Sequence, residues 1–217
     1  MYIASLGMDQ KTAIVNQQQA WSVAKMENAK AEADLSDLST NRLPVARNEL
    51  KTLRIGVDTA VTEKKAATAS NDTNRINTAS KGVDSASKLE KAGVAHVKYL
   101  ESYQVYLKAT QRYTAENMYW QEAKYEQSKS ALAQTSHIAP ANIKYEWYPS
   151  QEAERGRRVE GAKAKWEARR NDASKARDGW LSIQKDADAS NGGHTTNFYD
   201  PMAPAAPAPS PAPAPAQ

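Results

Sequence analysis

The sequence predicts an all-α fold: an elongated helical hairpin or bundle of long, coiled-coil-like helices, a separate C-terminal helix, and a Pro/Ala-rich tail that is disordered or bound to a partner. Three observations predict it. Apolar residues recur at helical spacing along most of the chain. No proline occurs between Pro44 and Pro140, which leaves room for very long helices. Ala-Pro repeats then follow Pro201 to the end at Gln217, and such repeats favour extended polyproline II.

The composition is that of long helices with narrow apolar stripes. Hydrophobic residues make up 40% of the 217 residues, but Leu, Ile, Val and Phe number only 29. These 29 residues are a smaller share of the chain than the roughly 20% below which disorder becomes an alternative. The net charge of +4, however, is too small for a disordered chain. Helices with such narrow stripes depend on neighbours for stability. We therefore expect packing against other helices and other subunits, in a homo- or hetero-oligomer.

The first two helices are predicted from periodicity. Six of the eight positions in the first stripe are apolar. The stripe reads Ile14, Gln17, Trp21, Ala24, Asn28, Ala31, Leu35 and Leu38. We expect this segment to end at residues 39–41. A second helix should run from Val45 to about Ser70, with Pro44 in its first turn, where proline is tolerated. Its inward residues are predicted to be Leu50, Leu53, Val57 and Val61.

A third helical stretch follows a break or kink at residues 71–74, where Asn, Asp and Thr side chains compete for backbone hydrogen bonds. Its stripe has a mean spacing of about 3.4 residues, close to a heptad repeat. The stripe reads Ile76, Ala79, Val83, Ala86, Leu89, Gly93, Val97, Leu100, Tyr103 and Leu107.

The last helix is predicted to begin with Ser150 as its N-cap and to end at residues 191–193. Its stripe reads Val159, Ala162, Trp166, Arg169, Ala173, Ala176, Trp180 and Ile183. The chain thus divides into a long-helix region over 1–139, an aromatic linker over 140–149, a basic helix over 150–193 and an extended tail over 194–217.

Aromatic residues form the most unusual pattern. Tyr99, Tyr106, Tyr113 and Trp120 recur every seven residues, which places them on one ridge of a helix. Two interpretations remain open: core packing against the preceding helices, or a docking surface, since Tyr combines apolar area with a hydroxyl that keeps a polar partner. A third interpretation is that these rings stack on nucleobases. The candidate protein-interaction residues are Tyr99, Tyr103, Tyr106, Tyr113, Trp120, Trp166, Trp180, Phe198 and Tyr199.

Basic residues cluster in the last helix with a local excess of five positive charges over residues 155–170. The cluster could contact phosphate, an anionic membrane surface or an acidic partner. The alternative is a solvated helix face with intrahelical ion pairs. The candidate contacts for anions or nucleic acid are Arg155, Arg157, Arg158, Lys163, Lys165, Arg169 and Arg170.

No catalytic or metal-binding pattern is present in the sequence. His96, His137 and His194 lie in different segments, and no HExxH motif or phosphate-binding glycine loop occurs. We interpret His96 as an edge residue of a helix. The sequence therefore predicts a protein that is not an enzyme and that needs no cofactor or metal.

The absence of cysteine fits a reducing compartment. No stretch reaches the roughly 18 apolar residues of a membrane span, and the first residues lack the basic start of a signal peptide. We expect a cytoplasmic protein, or one within a particle assembled in the cytoplasm.

The predicted function is a structural or interaction component of a larger protein assembly, with a virion as its most concrete form. Long Ala-, Gln- and Lys-rich helices are similar in composition to those of phage internal and scaffolding proteins, without matching positions. Two alternatives are a nucleic-acid-associated helical protein and a peripheral membrane or cell-envelope adaptor. The chain from about Tyr199 onward is predicted to be a tether that only a partner orders, with Phe198 and Tyr199 as its anchor.

Overall fold

In the computed structural model, residues 7–136, 141–193 and 196–204 are described, without the side chains of residues 8–10. Within these ranges all regular structure is helical. The helices are α1 (Met8–Asp37), a π-helical turn (Leu38–Arg42), α2 (Leu43–Ala69), α3 (Thr73–Thr135) and α4 (Trp147–Ser190). Because α1, the π-turn and α2 follow one another without a gap, the fold consists of three long helical rods. The central rod is α3, which packs against all of the others.

The expected break between the first two helices is wrong. The backbone continues through the π-turn, where the Leu43 amide donates to the Leu38 carbonyl five residues back. The extra residue in this turn keeps the apolar stripe in phase, because Leu38 is followed inward by Leu43 and Ala46, while Val45 points out and is 54% exposed. Pro44 lies at the start of α2, directly after the π-helical turn.

The chain reverses at residues 70–72, so the pattern at Asn71–Asn74 marks a full break. Asn71 has a φ of 53°, a left-handed conformation that Asn tolerates better than most residues. The Asp72 carboxylate then caps α3 by accepting hydrogen bonds from the amides of Asn74 and Arg75, at 2.9 and 3.1 Å. The 63 residues of α3 span about 95 Å. This length is close to that of the rod formed by α1, the π-turn and α2.

Two contacts along this pair of rods show an antiparallel hairpin. Arg47 pairs with Glu101 at 2.9 Å, and Trp21 stacks on Tyr125 with ring centroids 5.7 Å apart. All eight positions of the predicted α1 stripe are buried or half-buried. The polar member Asn28 belongs to this seam, since its Oδ1 accepts a hydrogen bond from the Thr114 hydroxyl at 3.1 Å.

The C-terminal helix is not separate, which corrects that part of the prediction. α4 runs antiparallel to α3 and packs along it from Trp120 to Ser85. It begins at Trp147 rather than after Ser150, because Pro149 is tolerated in a first turn whose amides need no helical partner. The Ser150 hydroxyl donates to the Trp147 carbonyl at 2.8 Å and caps no amide. The helix ends at Ser190, where Gly192 and Gly193 take positive φ values of 70° and 80°.

Candidate protein-interaction site

The aromatic ridge of α3 packs against α4, the helix that follows it, rather than against the helices before it. Tyr99 is fully buried and stacks on Trp180 with ring centroids 5.3 Å apart and planes 7° apart. Tyr113 stacks on Trp166 at 5.4 Å. Two heptad-spaced tyrosines of α3 therefore meet the two widely spaced tryptophans of α4, and this pairing sets the register between the helices.

Further aromatic side chains of α3 lie beside these stacked pairs. Tyr103 lies 6.3 Å from Tyr99 and 5.5 Å from Tyr106 between ring centroids. The Trp120 indole N–H donates to a Glu152 carboxylate oxygen at 2.6 Å. Burial in this interface raises the pKa of Tyr103 to about 12. These aromatic side chains are thus packing elements of the bundle.

Residues 196–204, called here the C-terminal segment, fold back onto the bundle. Phe198 packs against His96 at 4.7 Å and edge-on against Trp180 at 6.3 Å between ring centroids. The Tyr199 ring lies under the Arg42 guanidinium at 4.7 Å. Since the chain itself orders Tyr199 to Pro204, the prediction that only a partner orders the tail from Tyr199 onward is wrong for these residues. The Ala-Pro repeats of 205–217 lie outside the described residues.

Asp200 is the polar centre of the docked segment. Its carboxylate accepts hydrogen bonds from the Arg177 guanidinium at 2.8 and 3.1 Å and from the Tyr99 hydroxyl at 2.8 Å. A third donor is the Met202 amide at 3.1 Å. Burial acts to raise the pKa of Asp200, but the hydrogen bonds from Arg177 and Tyr99 outweigh it and hold the pKa below its ordinary value. The charge of Asp200 is therefore matched by groups from both α3 and α4.

His96 is a core residue, which corrects the interpretation as an edge residue. It is 1% exposed, and its Nε2–H donates to the Tyr199 carbonyl at 2.8 Å. That bond places a proton on Nε2, because a carbonyl oxygen can only accept. Nδ1 is buried with no hydrogen-bond partner among the described residues. Burial lowers the pKa of His96, against the opposing effects of the Tyr199 carbonyl and the Asp200 charge.

Sequence reasoning placed Phe198 and Tyr199 at an anchor but missed its polar half, which is formed by Arg177 and Asp200. One signal was available: Asp200 is the only acidic residue after Asp188 and directly precedes Pro201. Arg177, in contrast, lies among many basic residues of α4 and carries no distinguishing local pattern. Only the tertiary structure brings this arginine to the aspartate.

The basic cluster lies on the outer side of α4, and most of its charges have partners. Arg158 pairs with Glu154, Lys163 with Glu167 at 3.9 Å, and Arg169 with Asp172 at 3.0 Å. The Arg155 guanidinium lies 5.2 Å from the Tyr119 ring centroid and the Arg170 guanidinium 5.9 Å from that of Trp166. Arg157 and Lys165 are exposed. The arrangement resembles a solvated helix face more than a continuous phosphate-binding track.

Among residues 7–136, 141–193 and 196–204, no group of three or more His, Asp and Glu side chains is placed to hold a metal ion. His137 and His194 lie outside these ranges. No helix in the searched ranges is long and apolar enough to span a bilayer. Comparison with known proteins finds no matching family model, no matching curated protein and no matching solved structure.

Proposed function

We propose that this protein is a non-enzymatic structural component of a larger protein assembly, in which it acts as a rigid helical spacer and interaction module. A particle such as a phage virion is the most specific version of this proposal. There the chain would take an internal, scaffold or connector-type role, joined to other subunits as a homo- or hetero-oligomer.

The observation that supports the proposal is the uncovered outer side of the α1 rod. Val15, Val23 and Met26 are 55%, 51% and 71% exposed. Val15 and Met26 are eleven residues apart, about three helical turns, so they lie on the same side of α1. Contact of these side chains with another protein would remove their apolar area from water, which is favourable.

Cross-linking and native mass spectrometry of the chain isolated from its source test the proposal. A fixed-stoichiometry complex with cross-links on the outer side of α1 is expected. The double variant Val15→Asn, Met26→Gln should retain its helicity but lose incorporation into that complex. The matched control is Gln18→Ala, an exposed position of the same helix. A chain that remains monomeric in its source, or full incorporation of the double variant, would reject the proposal.

Nucleic-acid association is the second candidate, and the observation in its favour is the exposure of Arg157 and Lys165 on the outer face of α4. Retention on DNA that declines steeply with salt, and that the double change Arg157→Gln, Lys165→Gln abolishes, would favour this candidate. Flotation with anionic liposomes would instead indicate the membrane-adaptor alternative.

A further inference from the structure

The C-terminal segment docks on side chains that carry buried, unpaired polar atoms. His96 Nδ1, Trp180 Nε1 and Gln184 Oε1 are buried and have no hydrogen-bond partner among the described residues. All three side chains touch the segment: His96 and Gln184 donate to its backbone carbonyls at 2.8 and 2.6 Å, and the Trp180 ring meets the Phe198 ring edge-on. Burial of a polar atom without a partner costs free energy. The docked state is therefore opposed by polar groups of its own binding site.

His96 is the member of this set that can take up a proton. It is 1% exposed, and its ring centroid lies 4.9 Å from that of Trp180 and 4.7 Å from that of Phe198. Since Nε2–H already donates to the Tyr199 carbonyl, a further proton must enter at Nδ1. A charged imidazolium is much less stable in such a buried site than in water. Protonation of His96 therefore favours the state in which the segment no longer covers the ring.

The charged groups around His96 do not reverse this effect. The segment supplies the Asp200 carboxylate, whose charge favours a protonated His96. α4 and α3 already match that charge with the Arg177 guanidinium and the neutral Tyr99 phenol, both at 2.8 Å. The rod formed by α1, the π-turn and α2 adds a positive charge, because its Arg42 guanidinium lies over a ring of the segment. Burial is the largest effect, and it lowers the pKa of His96.

The packing of the three rods does not depend on the segment. Tyr99 stacks on Trp180, and Tyr113 stacks on Trp166, through side chains of α3 and α4 alone. The segment itself follows the glycine pair that ends α4, so its departure need not unwind that helix. We propose that the C-terminal segment is an acid-sensitive latch. When His96 binds a proton, the segment leaves the bundle as a unit, the three rods stay packed, and the side of Trp180 that the segment covers becomes exposed.

The latch does not depend on the proposed function, and one titrating group sets its expected response. Docking is strongest above the ordinary pKa of His96, which is 6.5, and is lost as the pH falls below it. Because one proton distinguishes the two states, the opening equilibrium rises by at most about tenfold for each pH unit below 6.5.

Amide hydrogen exchange on the full-length chain measures this opening equilibrium, after correction for the intrinsic pH dependence of exchange. The reporters are Phe198 and Ala203, whose amides donate to carbonyls within the segment. Between about pH 7.5 and pH 5.5 their protection should fall by up to about tenfold. Exchange of the buried Trp180 indole N–H should accelerate with them. The Trp166 amide, inside α4, should keep its protection.

His96→Gln is the test variant, because glutamine keeps an N–H donor but does not titrate. Its segment should open to the same extent at both pH values. The matched control is His194→Gln, at a histidine that lies outside the described residues, and it should leave the acid response unchanged. An equal response in His96→Gln, or loss of the response in His194→Gln, would assign it to another group and overturn the latch.

Two further results in the unchanged chain would also overturn the latch. One is protection that does not change with pH; the other is a parallel loss of protection at Trp166, since the whole bundle would then open. Where the glutamine variant does not dock its segment, imidazole ¹⁵N shifts of the unchanged chain replace it. The His96 ring must then titrate over the same pH range in which Phe198 loses protection, and titration over a different range would reject the latch.

Discussion

Replacement of Asp200 by alanine should release the C-terminal segment while leaving the three rods intact. The carboxylate is the single group that joins the segment to both α3 and α4 through charge-assisted hydrogen bonds. The change leaves the Arg177 guanidinium and the buried Tyr99 hydroxyl without their acceptor. α4 itself stays in place, because its stacking on α3 does not involve Asp200.

The expected loss of docking free energy follows from the burial of the Arg177–Asp200 pair. The side chains of Arg177 and Asp200 are 22% and 13% exposed, so the pair is mostly, but not completely, removed from water. Breaking a fully buried pair costs about 3–5 kcal/mol, and a hydrogen bond to a charged group contributes about 1.5–3 kcal/mol. Because some solvent reaches both groups, we expect a loss of about 2–3 kcal/mol, equivalent to a docking equilibrium weakened about 30- to 150-fold.

Amide hydrogen exchange measures this equilibrium at Phe198 and Ala203. Both amides donate to backbone carbonyls within the segment, which Asp200→Ala leaves in place, so faster exchange reports undocking rather than loss of a direct bond. The matched control is Asp172→Ala, which removes an ion pair whose side chains are 55% and 51% exposed and should change exchange by less than about threefold. The reasoning fails if the two variants exchange alike.

Three further predictions use the same structure. The pKa of His96 in the docked state lies below its ordinary 6.5, so the undocked chain binds the proton more tightly. Docking of the C-terminal segment should therefore be strongest above pH 6.5 and weaken as the pH falls below it. His96→Gln should flatten this pH dependence in exchange measurements. Tyr113→Ala removes a half-buried ring stacked on Trp166, so it should lower the free energy of unfolding by about 2–3 kcal/mol. The control Lys108→Ala changes an exposed position and should lower it by less than about 0.5 kcal/mol. Urea denaturation measures both values. Gly82→Ala should stabilise the protein by about 1 kcal/mol because nothing lies within 4 Å of the added Cβ; Gly93→Ala should lose that gain, since its Cβ would lie 2.7 Å from a Leu53 methyl.

Each of these predictions has an opposite result that would contradict it. Docking that strengthens on acidification would show that His96 gains a partner when protonated. Equal effects of the Tyr113 and Lys108 changes would place the ridge outside the packed interface. A Gly93→Ala variant as stable as Gly82→Ala would show that Leu53 moves aside without cost.

Periodicity alone determined which side of α1 and of α3 faces inward, whereas two positions of the stripe predicted for α4, Arg169 and Ile183, are exposed. The positions predicted for the first stripe, from Ile14 to Leu38, and for the α3 stripe, from Ile76 to Leu107, are buried or half-buried throughout. This succeeds because a long helix presents the same side to its neighbour at every turn, so the pattern repeats many times and local exceptions do not obscure it. The reversal near Asn71 and the end of α4 at two glycines were equally readable, since both depend on local backbone chemistry.

Only the tertiary structure decided where each rod lies and what its aromatic side chains contact. The ridge of α3 could have faced either neighbour, and its assignment to α4 rests on Trp166 and Trp180, more than fifty residues away in sequence. The π-turn at Leu38–Arg42 exists because the stripes of α1 and α2 must both face α3, a condition imposed by the partner helix. The docking of Asp200 on Arg177 likewise uses an arginine that no local pattern distinguishes, because the free energy of such a pair depends on burial and geometry that arise only when the helices have packed.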